Sequence, residues 1–285
     1  MGSCVFKIDL GGEVDVLNAD CVSDDARWSI IASASTNSAL AGVLAGFLLA
    51  AIAVLYSDST REKHANTLAL FFTGVVVLAL DSYLFSHVTG IKPTDSGIGC
   101  ARAWTQGIAA SGMLVVGGVA LTAGLGWMLA HYADQHSKRL VGVLGGVLTG
   151  SVVLVTTLLL VITTVQYLKA VIDPPAWLTL SAVVMALLPV ALSGFEVTKR
   201  TLTVRARFSA PPLSTTLEAE PRWLGRAAIA SAVLVVLAPV LSGLVPVMPA
   251  DLPNRLWGII PTLIVSVVLP GAITVMISKA VPRYI

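Results

Sequence analysis

The sequence predicts an all-α integral membrane protein, a bundle of seven transmembrane helices with a small N-terminal cap outside the membrane. Of its 285 residues, 56% are hydrophobic and only 12% are charged, whereas soluble domains carry about 25% charged residues. The apolar residues form continuous runs, each long enough to cross a hydrocarbon core of roughly 30 Å as a helix. These runs lack the alternation of barrel strands. We therefore expect a multi-pass protein of a cell membrane, and the richness in Ala, Val, Gly and Leu is typical of high-GC bacteria.

Residues 1–27 form the predicted extracytoplasmic segment, which is polar and acidic. They lack the basic region and the apolar core of a signal peptide. The stretches Val5–Leu10 and Glu13–Leu17 alternate apolar and polar residues around Gly11 and Gly12, which predicts a β-hairpin on a two-residue turn. A hairpin of this size is too small to be stable alone, so we expect it to cap the membrane domain.

Residues 28–285 form the predicted membrane domain. Seven apolar runs within it are the expected spans, at about 28–56, 67–88, 103–130, 140–168, 177–195, 224–247 and 256–281. The last three spans contain prolines, each of which removes a backbone hydrogen bond and bends its helix: Pro189, Pro239, Pro261 and Pro270. Such kinks occur in gates and binding cavities, but proline is also common in membrane helices generally. Both interpretations stay open.

The distribution of Lys and Arg predicts the orientation, because short cytoplasmic loops hold an excess of these residues. One side of the predicted bundle holds twelve: Arg61, Lys63, Lys138, Arg139, Lys199, Arg200, Arg205, Arg207, Arg222, Arg226, Lys279 and Arg283. The other side holds six: Lys7, Arg27, Lys92, Arg102, Lys169 and Arg255. The bias predicts an N-terminus outside the cell and a C-terminus in the cytoplasm.

The three cysteines all lie in segments that this orientation places outside, where disulfides persist. In the predicted hairpin Cys4 does not face Cys21. Cys21 and Cys100 each lie just before a span, and a bridge between them would tie the N-terminal segment to the second outer loop. We therefore favour a Cys21–Cys100 disulfide over Cys4–Cys21, with three free thiols as the remaining alternative.

Residues 199–222 are the longest predicted connection between spans and lie on the cytoplasmic side. Pro211, Pro212 and Pro221 prevent a continuous helix through this connection. Its first basic residues are Lys199, Arg200, Arg205 and Arg207. Basic residues beside a span gain about 1 kcal/mol each from anionic headgroups, so the connection is a candidate lipid-binding arm. A plain topology determinant explains the same charges.

Small residues are frequent in the third predicted span, and the first and fourth spans carry glycines four apart, as Gly42-x3-Gly46 and Gly142-x3-Gly146-x3-Gly150. This spacing lets helix backbones approach closely in membranes, where no hydrophobic force drives helices together. We expect it to serve packing within the bundle rather than a dimer interface. The third and fourth spans should then lie near the centre.

Asp81 is the one carboxylate set well inside an apolar run. An ionisable residue at membrane depth is expensive and marks a functional site by default. It lies about six residues from the outer end of its span, or roughly 9 Å at 1.5 Å per residue. By the 100° step of a helix, His87 on the same span points elsewhere. A partner must come from another helix, and Gln106 and Arg102 on the third span are the expected ones.

Polar residues at similar depth on other spans extend this position into a candidate outward-facing binding site. The full set is Asn37, Asp81, Arg102, Gln106, Thr163, Gln166 and Thr262. In one interpretation Asp81 binds a cation or a proton, or is the counter-ion of Arg102 in a solute pocket. In the other, Asp81 only makes a hydrogen bond between helices. Both interpretations stay open.

Motif searches predict no catalytic residue, no metal site and no cofactor. The four histidines lie in loops or at span ends, without metal-ligand spacing inside a span, which also disfavours haem. No glycine-rich phosphate loop and no CxxC pair occurs. A solvated domain in which basic and aromatic residues alternate is absent as well, so nucleic-acid binding is not expected.

Three functional hypotheses remain. A non-catalytic membrane subunit, receptor-like or accessory to an assembly with other membrane chains, explains the tight packing, the external cap and the sparse intramembrane charge, and we prefer it. A transporter or channel for a cation or small solute would use Asp81 and the kinked spans, but no internal repeat is detectable, and many transporters contain one. A membrane-embedded enzyme is the third hypothesis, for which a nucleophile–base pair or metal set is lacking.

Overall fold

Within the described part of the chain, eight α-helices and one π-helical segment follow one another. The structure is a computed structural model that describes residues 21, 29–57, 65–92, 98–132, 138–171, 176–207, 217–218, 221–244, 256–280 and 283–284. The helices are α1 (Ile30–Ser57), α2 (Ala65–Thr89), α3 (Ile98–Tyr132), α4 (Lys138–Val171), α5 (Ala176–Arg207), α6 (Pro221–Leu244), α7 (Leu256–Leu263) and α8 (Leu269–Ala280), with the π segment Ile264–Val268 between the last two. The predicted N-terminal hairpin lies outside the described residues.

Seven stretches of this helical structure are long and apolar enough to cross a membrane. They are Ile30–Ser57, Thr67–Thr89, Gly99–Leu129, Val147–Val171, Ala176–Phe195, Trp223–Leu244 and Gly258–Ala280. The last stretch combines α7, the π segment and α8. The prediction of a multi-pass protein with a bundle of seven apolar helices is therefore confirmed.

The centre of the bundle is α3. In α3, 72% of the apolar membrane-spanning window is buried, against 22% in α1. Glycines let α2 come close to α3: a Cβ atom added at Gly117 would overlap the side chain of Leu78, and one added at Gly124 would overlap Phe71. Backbones can approach in this way only where small residues leave room. The glycines of the third span thus explain its central position.

Glycines on α4 and α1 differ in whether they pack against another helix. On α4, Gly145 packs against α3, because a Cβ atom there would lie 3.4 Å from the Cα atom of Gly126. On α1, a Cβ atom at Gly42 would lie 3.2 Å from the Ser82 hydroxyl of α2, whereas one at Gly46 would meet nothing within 4 Å. Gly46 therefore does not serve packing inside the bundle, contrary to our expectation for this pattern.

Cys21 and Cys100 are joined by a disulfide, with their Cα atoms 5.3 Å apart and 79 residues between them in sequence. This is the pairing that the sequence favoured. Since Cys100 lies in the first turn of α3, the bond ties the chain before α1 to the beginning of the central helix. We call this end of the bundle the disulfide end, and the other the opposite end.

Helix α5 extends beyond its apolar stretch into the predicted connection 199–222. Helix α5 continues to Arg207, because no glycine or proline interrupts the chain before Pro211. After the connection, Pro221 is the first residue of α6, a position at which the missing N–H of proline costs no helical hydrogen bond.

The chain between α5 and α6 also contains a short strand, which the sequence did not predict. Residues Leu217–Glu218 pair antiparallel with Arg283–Tyr284 near the C-terminus. Leu217 lies opposite Tyr284, and Glu218 lies opposite Arg283. The pair links the connection before α6 to the chain that follows α8.

We expect Gly117→Ala to lower the midpoint of thermal unfolding in detergent. The added Cβ atom overlaps Leu78, and overpacking of this kind costs about 1–3 kcal/mol, more than the gain of about 1 kcal/mol in helix propensity. The matched control is Gly194→Ala on α5, where a Cβ atom meets nothing within 4 Å. This control should be neutral or stabilising; equal midpoints for both variants would contradict the close contact between α2 and α3.

Candidate functional site

Asp81 lies inside the bundle without a partner among the described residues. Its side chain is 0% exposed, and both carboxylate oxygens are buried without a hydrogen bond to any described group. The hydrogen bonds that we expected from Gln106 and Arg102 are therefore not formed. Asp81 still qualifies as a site by the physical criterion that singled it out, because an unpaired buried charge is expensive in hydrocarbon.

Gln106 instead joins three helices near the disulfide end. Its side-chain oxygen accepts a hydrogen bond from Nδ1 of His87 on α2, at 3.0 Å. Its amide nitrogen donates to the backbone oxygen of Ser242 on α6, at 2.9 Å. Gln106 is 1% exposed, so both ends of its amide are satisfied by protein groups, as a buried amide requires. His87 lies at a different angle around α2 from Asp81, and its ring bonds to Gln106.

A second polar cluster lies on the other side of α3 at the same level. The Tyr167 hydroxyl of α4 approaches the hydroxyls of Thr105 on α3 and Thr262 on α7, although neither approach has the geometry of a hydrogen bond. The two threonines donate to carbonyls of their own helices, Thr105 to Ala101 at 2.8 Å and Thr262 to Gly258 at 2.9 Å. Together with the Gln106 bonds, this level holds polar side chains of α2, α3, α4 and α7. We call it the 105–106 layer.

The remaining residues of the predicted site are distributed over several helices. Asn37 on α1 and Arg102 on α3 are half-buried, and Gln166 on α4 is buried. Thr163 donates to the Leu159 carbonyl of its own helix at 2.8 Å. None of these side chains bonds to the Asp81 oxygens. The hydrogen bonds of these residues do not include Asp81, so their membership in a shared binding site stays a prediction.

Contacts between α2 and α3 define the depth of Asp81. The two helices touch where His87 meets Gln106 and where Leu78 meets Gly117. Asp81 lies six residues before His87, and Gly112 lies six residues after Gln106. Because the helices run in opposite directions, Asp81 and Gly112 share a depth, roughly 9 Å from the 105–106 layer at 1.5 Å per residue.

At this depth the last span is irregular. A Cβ atom at Gly112 would overlap the backbone oxygen of Ser266, and it would lie 2.9 Å from the Pro270 ring. Ser266 belongs to the π segment, in which the Leu269 N–H bonds to the Ile264 carbonyl. Pro270 has no N–H to donate to the Ser266 carbonyl four residues earlier. Helical bonding is thus altered where the span meets α3, and π segments of this kind are frequent at functional sites.

The side chain of Ser266, like that of Asp81, is buried without a hydrogen-bond partner among the described residues. It is 0% exposed, and its hydroxyl has no hydrogen-bond partner in the part of the chain that the structure describes. Buried hydroxyls in proteins normally have a partner. We call Asp81, Gly112 and Ser266 the Asp81 layer. Ser266 was not selected from the sequence. The one signal in the sequence near it is Pro270, four residues later.

A second feature of the bundle is a groove between α1 and α2 that is lined with hydroxyl groups. It has a volume of about 490 Å³ and is lined by Ser35, Ser38, Ala39, Gly42, Val43, Ser82, Ser86 and Thr89. Ser38 and Ser82 hold the two helices together reciprocally, because each hydroxyl donates to the backbone oxygen of the other residue, at 2.8 and 2.9 Å. We call this cavity the serine groove.

Comparison of the chain with protein-family models, with curated proteins and with solved structures finds no match. Among the described side chains, no three of His, Cys, Asp and Glu are close enough together to hold a metal ion. Two features of the described structure are candidates for a functional role, the Asp81 layer inside the bundle and the serine groove on its surface.

We expect Gln106→Leu to destabilise the purified protein by about 1–2 kcal/mol, since it removes two hydrogen bonds between helices. Thr163→Val is the matched control, because Thr163 donates only to its own helix and its replacement should change the unfolding midpoint much less. Thermal unfolding in detergent measures both variants. If the two midpoints fall equally, the bonds of Gln106 to α2 and α6 do not hold the bundle together.

Proposed function

We propose that this chain is a non-catalytic membrane protein that acts as an accessory or assembly subunit, or as a receptor-like subunit, of a complex with other membrane chains. The observation that carries the proposal is the serine groove. It opens on the least buried helix of the bundle, in which only 22% of the apolar window is covered. A surface of this composition suits another transmembrane helix better than it suits lipid.

The physical reason lies in what the groove offers to its surroundings. Lipid chains cannot hydrogen-bond to the hydroxyls of Ser35 and Ser86, both of which are exposed. Side chains of Ser, Thr, Asn and Gln on a neighbouring helix can, and such bonds contribute about 0.6–2 kcal/mol each. A hydroxyl-lined groove is therefore expected to favour a partner helix that carries small and polar residues.

On α1, Gly42 and Gly46 leave room for the backbone of a neighbouring helix. A Cβ atom at Gly46 would meet nothing within 4 Å, and Gly42 contacts only Ser82. Large apolar side chains stand beside these glycines, with Val43 70% exposed and Phe47 55% exposed. Small residues four apart, flanked by large ones, form a concave surface into which a second helix can pack.

We propose the orientation that the charges predict, with the disulfide end outside the cell. Disulfides persist outside the cytoplasm, which agrees with the Cys21–Cys100 bond at that end. At the opposite end, the charged groups of Lys279 and Arg226 lie 4.6 and 5.1 Å from the ring centre of Trp223. Cations and a Trp at one membrane surface are typical of a cytoplasmic interface.

The extended end of α5 belongs to the same proposal. It carries the candidate lipid-binding residues Lys199, Arg200, Arg205 and Arg207 on a continuous helix. In the proposed orientation this helix leaves the membrane on the cytoplasmic side, where anionic lipids attract basic residues. Binding of anionic lipid headgroups would then anchor this end of the bundle.

Replacement of Gly46 tests the partner directly. We expect Gly46→Leu to abolish co-purification of partner chains from native membranes in mild detergent, because the larger side chain fills the face of α1. Gly194→Leu on α5 is the matched control, since a Cβ atom there also meets nothing within 4 Å, yet Gly194 lies on a different helix from the proposed partner surface. The proposal fails if wild type purifies reproducibly without other chains, or if both variants lose the same chains.

Thiol labelling in intact cells tests the orientation together with the disulfide. In Cys4→Ser, an impermeant maleimide should label nothing until a reductant opens the Cys21–Cys100 bond, after which two thiols should react. In the double variant Cys4→Ser/Cys21→Ser, Cys100 should react without reduction. Labelling that requires permeabilised cells in both variants would place the disulfide end in the cytoplasm and reverse the proposed orientation.

A further inference from the structure

We propose that the Asp81 layer is an occluded binding site for a small monovalent cation, Na⁺, formed by the Asp81 carboxylate together with the hydroxyl and backbone oxygens of Ser266. The proposal goes beyond the accessory role and does not depend on it. It assigns a ligand to the two fully buried side chains of this layer whose oxygens have no partner among the described residues.

Four helical elements connect Asp81 and Ser266 through pairwise contacts. Helix α2 contacts α3, α3 contacts the π segment, the π segment contacts α6, and α6 contacts α2, so the four form a closed ring. Asp81 comes from α2 and Ser266 from the π segment, on opposite members of this ring. They lie at one depth, as the contacts of Gly112 and Gln106 show. The interior of the ring is therefore the place where oxygens from both residues can converge.

The charge of Asp81 requires compensation. Removing one partner from a buried ion pair costs about 3–5 kcal/mol, so a carboxylate that is buried without any partner is unstable unless a cation or a proton joins it. The basic side chain nearest in sequence on α2 is His87, whose Nδ1 is bonded to Gln106. Arg102 does not bond to the Asp81 oxygens. Protein groups described in the structure therefore leave the negative charge for a ligand to neutralise.

Ser266 distinguishes a metal cation from a proton. A proton would satisfy Asp81 alone and would leave the Ser266 hydroxyl as it is. A hard cation prefers several oxygen ligands, including carboxylate, hydroxyl and carbonyl groups. Pro270 cannot donate to the Ser266 carbonyl, which packs against Gly112 of α3. In membrane transporters, backbone carbonyls freed by an irregular helix are a recurrent source of ligands for Na⁺, and the π segment supplies the same kind of irregularity.

Further oxygens continue from the layer toward the opposite end. The Thr274 hydroxyl on α8 and the Ser231 hydroxyl on α6 are buried and have no partner in the described part of the chain. Thr274 follows Ser266 by eight residues, or roughly 12 Å along the helix. Helices α6 and α8 are in extensive contact. These hydroxyls are further buried oxygens between the layer and the opposite end.

The experiment measures thermal unfolding of the purified full chain in detergent, in NaCl and in choline chloride at equal ionic strength, at several fixed pH values. Choline is too large for a site between packed helices. We expect Na⁺ to raise the midpoint of wild type by about 2–4 °C or more at saturation, since a ligand that binds only the folded state stabilises it. Asp81→Asn should abolish the Na⁺-dependent shift, and Ser266→Ala should raise the half-maximal Na⁺ concentration tenfold or more.

The controls separate binding from general loss of stability. The shift is a difference within each variant, so a lower starting midpoint does not affect it. If Asp81→Asn does not fold, Ser266→Ala decides the outcome. Ser193→Ala removes a buried hydroxyl that bonds to Ser278 at 3.2 Å, outside the layer, and should keep the full Na⁺ response. Gly46→Leu should keep it too, so failure of the partner proposal and failure of this one are distinguishable.

Three results would overturn the proposal. The first is an equal midpoint for wild type in NaCl and choline chloride. The second is a Na⁺ response in Asp81→Asn or in Ser266→Ala that equals that of wild type. The third is a midpoint that follows pH but not Na⁺, which would assign a proton to Asp81 and leave Ser266 without a ligand role.

Discussion

The close approach of α2 to α3 is the contact on which the other features depend. In a bilayer, lipid is as apolar as leucine, so helices associate through packing and hydrogen bonds rather than through a hydrophobic force. Leu78 and Phe71 occupy space that Gly117 and Gly124 leave free. This packing brings Gln106 within reach of His87. It also places Asp81 at the depth of the π segment, at the interior of the bundle rather than at its lipid-facing surface.

Buried polar groups occur at two levels of the bundle, and the levels differ in whether protein groups satisfy their hydrogen bonds. In the 105–106 layer, protein groups satisfy both ends of the Gln106 amide, and the bonds cross from one helix to the next. In the Asp81 layer, the carboxylate and the Ser266 hydroxyl have no partner among the described residues. The first arrangement is what a structural contact between helices requires. The second arrangement leaves buried oxygens unsatisfied by protein groups, and the proposed cation site rests on this difference between the two layers.

The sequence predicts most of the architecture and little of the side-chain pairing. Long apolar runs define the spans because each must satisfy its own backbone in lipid, and Asp81 stands out by its charge alone. Its partners could not be predicted, because the relative position of α2 and α3 along their axes decides whether Gln106 lies level with Asp81 or with His87. The end of the fifth span was predicted from its apolar run, whereas α5 continues as a helix through the charged residues that follow, to Arg207. Ser266 was missed because a serine in an apolar run is ordinary in sequence.

The disulfide has a mechanical consequence for the helix that carries the serine groove. Helix α1 has little of its apolar window buried, and α2 is its main neighbour in the bundle. The Cys21–Cys100 bond ties the chain ahead of α1 to the first turn of α3, and the reciprocal bonds of Ser38 and Ser82 tie α1 itself to α2. A neighbouring chain that packs on α1 would therefore meet a helix that a covalent bond and two hydrogen bonds connect to the bundle, so its binding would be felt by α2 and α3 as well.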